Sequence, residues 1–312
     1  MTNENTAPIR DALRVLYDLH YAPITFDFTT YLVLCECVRQ LEGFKVLDVT
    51  IKANQFRKLS DKDFSVGQSE KEWRLKSITV DSCDLLPTVA NLRLLRDTAP
   101  TSGDAYHLPP NYQAITKGDA RYTYALKDLL PLHKLGANVR SLKAPDHAKH
   151  LIQSVLGNGY ITLTLRNSSH STLRNIDLEE WYKFYCFLTQ KGHEVFVIPD
   201  FEDMFTNRAY RNYDWQIFLA ASLDQRIRLA LYESALMNFS PSGGNSAMVV
   251  YSNAPYAIFD FINGVFDLEK LTTQALGLSI GESSPWALDS QKFYWEKSMF
   301  DYLIFAFEEM IG

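Results

Sequence analysis

The sequence predicts an α/β protein whose two halves each contain a parallel β-sheet with helices packed on it. Two observations favour this class. Short β-branched, apolar segments alternate along the chain with segments of helical periodicity. A turn at Gly157–Gly159 then separates one such series from a second. With 312 residues and 46% hydrophobic content, the chain can bury two domain cores of ordinary size.

The first half is predicted to open with a strand–helix–strand unit. Its apolar patterns favour a strand over Ala22–Phe28, a helix over Tyr31–Leu41 and a second strand over Phe44–Ile51. Gly43 fits the C-terminal cap of that helix, because glycine adopts the left-handed conformation easily. A unit of this kind begins a parallel sheet.

The remainder of the first half is predicted to contain a long loop, a short strand and a helix. Residues 97–120 are rich in Pro, Gly, Asp and Thr, as long loops are. Val139–Leu142 has the apolar character of a last short strand. Pro145 favours a helix start, and Asp146–Leu156 then has helical spacing.

The second half repeats the alternation. Strands are predicted over Tyr160–Leu165 and Glu194–Pro199, and the helix between them begins at an Asp-x-x-Glu capping pattern at 177–180. Asp224–Asp260 has the pattern of helix, short strand, Ser/Pro/Gly loop, helix, proline turn and strand. Gln291–Ile311 carries one apolar stripe, which predicts a long closing helix.

Charge, cysteine content and hydropathy exclude several classes of protein. The net charge of −6 and the lack of any run of five basic residues argue against a nucleic-acid partner. The four cysteines lack zinc-ligand spacing, so we expect reduced thiols and no metal. The polar N-terminus and the short apolar segments predict a cytoplasmic protein. The 13% aromatic content suits a core, an acceptor site, a membrane-surface contact or a subunit interface.

The loop Ser240–Ser246 is a candidate anion site. It places small residues, including Ser242, Gly243, Gly244 and Asn245, just before a predicted helix N-terminus. Glycine lets a ligand approach the backbone closely, and the helix end offers N–H groups to a phosphate. The loop matches neither the P-loop nor the dinucleotide fingerprint, and an ordinary connecting loop is the alternative.

A second polar loop follows the first strand of the second half, from Arg166 to Asn175. Ligands of parallel sheets bind beyond the carboxyl ends of strands, which is where this loop begins. Arg166 and Arg174 carry planar guanidinium groups that suit phosphate oxygens. His170 could hydrogen-bond a diphosphate or transfer a proton. The alternative is a solvated loop with surface ion pairs.

Three carboxylates are further candidates. Asp200, after the second strand of this half, and Glu233, on the helix before the Gly-Gly loop, could bind ribose hydroxyls. Asp27, placed at the carboxyl end of the first predicted strand, could act as a general base. Each has a structural alternative, because such residues also cap turns and helices or stay exposed on a helix surface.

Two Rossmann-like halves with a closing helix resemble the GT-B glycosyltransferases, whose domains face each other across a cleft. The stretch LALYESALMNFSPSGGNSAMVVYSNAPYAIFD looks like the heptosyltransferase and fucosyltransferase-like pattern, and ITLTLR is similar to the strand-then-arginine entry of fucosyltransferase-type donor domains. This resemblance covers roughly residues 157–262. The chain departs from the heptosyltransferase pattern by lacking an acidic residue and a histidine around the Gly loop, and the first half has DFTT in place of a glycine-rich loop.

The resemblance implies transfer of a sugar from a nucleotide-diphosphate donor to a hydroxyl acceptor without a metal or other cofactor. Arg166 and the backbone of Gly243–Ser246 would neutralise the leaving diphosphate, and Asp27 would be the base. The acceptor would be a glycan, a lipid-linked molecule or a protein, as in bacterial polysaccharide or glycoconjugate synthesis. A nucleotide-sugar epimerase and a non-catalytic scaffold remain the alternatives.

The same resemblance implies a division of labour along the chain. Residues 1–150 would form the acceptor-side domain, residues 151–285 the donor-binding domain, and residues 286–312 a helix that packs back across both. Peripheral contact at the inner face of a membrane fits a lipid-linked acceptor.

Overall fold

The computed structural model describes residues 10–56, 67–96, 124–168, 172–201, 209–262 and 266–312. In the first half, three parallel strands pair in the order β1 (Arg10–Asp18), β2 (Phe44–Lys52), β3 (Val89–Leu95). The helices of this half are α1 (Asp27–Glu42), α2 (Gln68–Arg74, continued by a π-helical segment Leu75–Val80 and a turn Asp81–Cys83), α3 (Leu126–Lys134) and α4 (Asp146–Leu156).

The predicted first strand over Ala22–Phe28 is wrong. The strand lies earlier, at β1, where alternate residues such as Leu13, Val15 and Tyr17 are buried. Residues 22–26 form a turn, because Pro23 has no N–H for a ladder and the Ala22 N–H bonds back to the Asp18 carbonyl at 2.8 Å. Asp27 is consequently the first residue of α1 and not the last residue of a strand.

Other predictions for the first half have mixed outcomes. The strand–helix–strand unit is confirmed, and α1 ends at Gly43 with φ 74°. The helix after Pro145 is confirmed over the predicted residues. Val139–Leu142 is not a strand, because its backbone turns away from the sheet and the Leu142 N–H donates to the Tyr251 carbonyl of the second half at 2.9 Å. The predicted loop over 97–120 lies outside the described residues.

The second half contains a five-stranded parallel sheet. Its strands, in spatial order, are β5 (Val195–Ile198), β4 (Ile161–Thr164), β6 (Met237–Pro241), β7 (Tyr256–Phe259) and β8 (Gln291–Phe293). Its helices are α5 (Leu178–Gln190), α6 (Gln225–Ser234, preceded by a turn Ala220–Leu223), α7 (Ala247–Val250), α8 (Phe266–Leu276) and α9 (Phe300–Ile311); short 3-10 turns lie at Thr172–Arg174, Ala209–Asn212 and Gly244–Ser246.

The two ends of this half differ in how well the sequence predicts them. Asp177 caps α5 as predicted, since its carboxylate accepts the Glu179 and Glu180 N–H groups. The single helix over Gln291–Ile311 is wrong, because its first three residues form β8. The side-chain amide of Gln291 donates to the Ser252 carbonyl at 3.0 Å and to the Ala254 carbonyl, which fixes this strand beside β7.

The halves pack against each other through helices and through residues that follow strands and helices. The ring of Trp73 on α2 stacks on Phe201, just beyond β5, with centroids 3.5 Å apart. On α1, Thr30 hydrogen-bonds the Tyr251 hydroxyl at 3.1 Å, and one apolar core continues from α1 into α7. The described contacts of α9 lie within the second half, mainly with α5. None of the helices in the described ranges is both long and apolar enough to cross a membrane.

Candidate functional site

The candidate site begins on a polar face of the two central strands. Residues of a strand point alternately to the two faces of its sheet. Thr162 and Thr164 of β4 therefore lie on one face, and Arg166, two residues on, continues that series. Thr162 pairs in register with Asn238 of β6 and donates to its side-chain oxygen at 2.6 Å. The next same-face position of β6 is Ser240, which is followed by Ser242. The polar stripe therefore leads to the carboxyl edge of the sheet, where the alternate apolar residues pack into a separate core.

Arg166 and Arg174 lie at this edge. Arg166 is 9% exposed, and its Nη1 donates to the side-chain oxygen of Asn175 at 2.5 Å. Arg174 is half-buried, and its Nη2 donates to the Ser242 carbonyl at 3.0 Å. Asn175 also accepts from the Ser168 N–H at 3.0 Å, which closes the loop between the two arginines. These oxygens orient the guanidinium groups without neutralising their charge.

The two guanidinium groups repel each other. Burial lowers the pKa of Arg174, the charge of Arg166 lowers it further, and Asp27 acts in the opposite direction. A pair of cations held together in a partly dehydrated place is unfavourable on its own. An anion placed between them would relieve this repulsion, so the geometry favours a multiply charged anionic ligand.

The Gly243–Gly244 loop lies directly against the arginines. A Cβ atom built on Gly243 would lie 3.7 Å from Arg174 Nη2 and 3.8 Å from Arg166 Nε. Ser246 closes the loop, since its hydroxyl donates to the Gly243 carbonyl at 2.8 Å. The helix that follows, α7, has only four residues. It is too short to form the anion site at a helix N-terminus that the sequence predicts. Its dipole is correspondingly small, and the arginines carry most of the positive charge.

Asp27 reaches the same place from the first half. The Phe26 side chain, which precedes α1, packs on Gly244 so closely that a Cβ there would lie 2.8 Å from a ring carbon. Asp27 follows directly, and its carboxylate accepts a hydrogen bond from the Thr25 hydroxyl and attracts Arg174. The structure thus brings Asp27, Arg166, Arg174 and the glycine loop together across the junction of the halves.

The remaining predicted residues lie elsewhere or outside the described part of the chain. Glu233 faces α4, where its carboxylate accepts the Ala144 N–H at 3.1 Å and pairs with Lys149 at 2.7 Å. Asp200 follows β5, next to the Phe201 ring that stacks on the first half. His170 and the side chain of Asn245 fall outside the described parts.

A cavity of about 860 Å³ opens in the first half, at the carboxyl ends of its three strands. His20 follows β1, Asn54 follows β2 and Arg96 follows β3, and all three line the cavity together with Lys71 and Glu72. Arg96 pairs with Glu72 at 2.7 Å. Its polar lining residues carry both signs of charge and can hydrogen-bond a hydroxylated ligand, beside apolar surface from residues such as Ala53 and Phe56.

Sequence reasoning missed Phe26, Asn175 and this cavity. Phe26 has no polar group, and only its contact with Gly244 gives it a place in the site. Asn175 could have been found from its position next to Arg174 in a polar loop. The cavity lies where three strands end. Because the sequence predicts the first strand over the wrong residues, it does not predict where β1 ends.

The two parallel-sheet halves have the GT-B fold, as the sequence predicts. A glycosyl transferase family 9 protein from Veillonella parvula DSM 2008 matches it with a TM-score of 0.51 at 9% identity, over 97% of each chain. The heptosyltransferase WaaC of E. coli, solved with ADP, matches with a TM-score of 0.51 at 10% identity, over 95% of this chain and 99% of that one.

No family model matches the chain, and no curated protein matches its sequence. Likeness at such low identity establishes the fold, and the activity must be inferred from the site.

Gly244→Ala is expected to destabilise the protein by about 1–3 kcal/mol, because the new methyl group would overlap the Phe26 side chain. Gly243→Ala is the matched control. Its methyl group would make only ordinary contacts, and its φ of 167° is extended backbone that alanine adopts. Melting temperatures of both variants test the contact. Equal melting temperatures for the two variants would contradict it, and Gly244→Ala should cost less stability in a Phe26→Ala background than in the wild-type protein.

Proposed function

We propose that the protein is a glycosyltransferase that moves a sugar from a nucleoside-diphosphate donor to a hydroxyl acceptor. The observation that carries this proposal is the pair Arg166 and Arg174 beside the Gly243–Gly244 loop, at the carboxyl edge of the second sheet. Ligands of parallel sheets bind at that edge, and paired guanidinium groups suit the oxygens of two linked phosphates. The GT-B fold supports the assignment at the level of architecture.

The arginines would act on the leaving group. When the bond between the sugar and the diphosphate breaks, negative charge develops on the departing phosphate. Guanidinium groups already fixed by Asn175 and the Ser242 carbonyl would stabilise that charge without further reorganisation. Two positive charges of this kind can serve where other enzymes use a cation, so we propose catalysis that needs no metal.

Asp27 would be the general base. Its carboxylate lies in the first turn of α1 and attracts Arg174 of the other half. It approaches the arginines from the opposite half, so a sugar carbon attached to the bound diphosphate would lie between the two groups. An acceptor hydroxyl on the Asp27 side would lose its proton to the carboxylate as it attacks.

The cavity in the first half would hold the acceptor. It lies at the strand ends of the acceptor-side domain proposed for residues 1–150, whereas the arginine pair lies in the donor domain proposed for residues 151–285. Asn54, Glu72 and Arg96 offer hydrogen-bonding groups to hydroxyls. We therefore propose a glycan, free or lipid-linked, as the acceptor.

Nucleoside diphosphates are expected to raise the melting temperature, since a ligand that binds only the folded state stabilises it. A panel of ADP, GDP, UDP and CDP at millimolar concentration identifies which nucleobase the protein prefers. Arg166→Gln and Arg174→Gln should each weaken binding of the best nucleotide by about 2 kcal/mol, roughly thirtyfold in Kd. Arg211→Gln, an exposed arginine elsewhere in the same half, is the control. No response to any of the four nucleotides would contradict the proposal.

Asp27→Asn should lower kcat by about 10²- to 10⁴-fold, the usual contribution of a general base. The same change should leave nucleoside-diphosphate binding unchanged or tighter, because it removes a negative charge near Arg174. Transfer from the matching nucleotide sugar to a set of hydroxylated acceptors gives kcat, and titration calorimetry gives Kd.

Asp146→Asn is the control for Asp27→Asn, because Asp146 also lies in the first turn of its helix and is exposed on α4, a different helix of the first half. Full activity of Asp27→Asn would exclude Asp27 as the base. Tight nucleotide binding by the wild-type protein without any transfer would favour a non-catalytic binding protein, and conversion of the nucleotide sugar without an acceptor would favour an epimerase.

A further inference from the structure

Asp260, the residue after β7, has an unusual backbone conformation. Its φ is 62°, and within the described ranges it is the one residue other than glycine with a positive φ. Aspartate tolerates this left-handed region better than most residues, but the conformation still costs free energy. Strain of this kind persists only where surrounding contacts impose it, and it concentrates at functional sites.

Contacts from the segment before α9 hold Asp260 in place. The Ser298 N–H donates to one carboxylate oxygen at 2.8 Å, and the Ser298 hydroxyl donates to the other at 2.7 Å. Ser298 in turn accepts the indole N–H of the buried Trp181 on α5 at 2.9 Å. The Asp260 N–H donates to the Glu296 carbonyl at 3.0 Å. Both its side chain and its backbone are therefore fixed.

The carbonyl oxygen of Asp260 faces the candidate site. It accepts the Ser242 hydroxyl at 2.8 Å, while the Ser242 N–H donates to the Phe259 carbonyl at 2.6 Å. The third polar group of Ser242, its carbonyl oxygen, accepts Arg174 Nη2 at 3.0 Å. A continuous chain of hydrogen bonds thus runs from Trp181 through Ser298, Asp260 and Ser242 to Arg174.

We propose that Asp260 is a positioning residue of the diphosphate site, which keeps Ser242, and through it Arg174, in the orientation that binds phosphate. This inference rests on the proposed function, since it assigns Asp260 to the site that the arginines form. The left-handed backbone is what aims the Asp260 carbonyl at Ser242, and the carboxylate fixed by Ser298 holds that backbone.

Burial raises the pKa of the Asp260 carboxyl group, although the Ser298 hydrogen bonds and the charge of Lys297 lower it. The Ser298 donors therefore favour the charged carboxylate that burial disfavours.

The test measures binding of inorganic pyrophosphate and thermal stability in the full chain. Asp260→Asn and Asp260→Gly both allow the left-handed backbone, but they weaken or remove the bonds to Ser298. We expect pyrophosphate to bind about three- to tenfold more weakly to both variants in titration calorimetry, on the scale of one hydrogen bond. Titrations run well below the melting temperature of every variant keep partial unfolding out of the measured affinity.

Ser242→Ala supplies an independent arm, because it removes only the bond to the Asp260 carbonyl. It should weaken pyrophosphate binding to a similar extent. Ser252→Ala, at a buried serine whose hydroxyl donates to the Val249 carbonyl, is the matched control and should bind as the wild-type protein does. Wild-type affinity in Asp260→Asn, Asp260→Gly and Ser242→Ala would overturn this inference alone. If the wild-type protein bound neither pyrophosphate nor any nucleoside diphosphate, the proposed function would fail with it.

Discussion

The contact between the Phe26 side chain and Gly244 fixes how the two halves of the site meet. No side chain fits at residue 244, because even a Cβ atom would lie 2.8 Å from the Phe26 ring. This close approach brings the start of α1 onto the loop after β6, and Asp27 follows Phe26 directly. A carboxylate from one half thereby lies near Arg174 of the other, although more than a hundred residues separate them in sequence.

The proposed diphosphate site needs no acidic residue or histidine in its glycine loop. An acidic residue there would pair with the arginines and compete with the ligand. In this chain the loop carries only small neutral residues, and the oxygens that hold Arg166 and Arg174 come from an amide and a backbone carbonyl. Asp27 adds an attraction for Arg174 from across the junction.

Local signals in the sequence predict the second half of the protein and most of the candidate site. The strand before Arg166 and the Ser/Gly loop have clear boundaries, and the rule that ligands bind at strand ends places both on one edge. The sequence predicts the first strand over Ala22–Phe28 because this segment is as apolar as β1. Only the position of Pro23 in a turn distinguishes it from a strand. The fit of Phe26 on Gly244 depends on contacts between distant segments, which no local pattern contains.

A crystal structure of the protein with ADP, or with whichever nucleoside diphosphate binds most tightly, would show whether Arg166 and Arg174 together hold a diphosphate against the glycine loop. We expect phosphate oxygens within hydrogen-bonding distance of both guanidinium groups and next to Gly243. Phosphates bound in the first-half cavity beside Lys71 and Arg96, or out of reach of the two arginines, would contradict it.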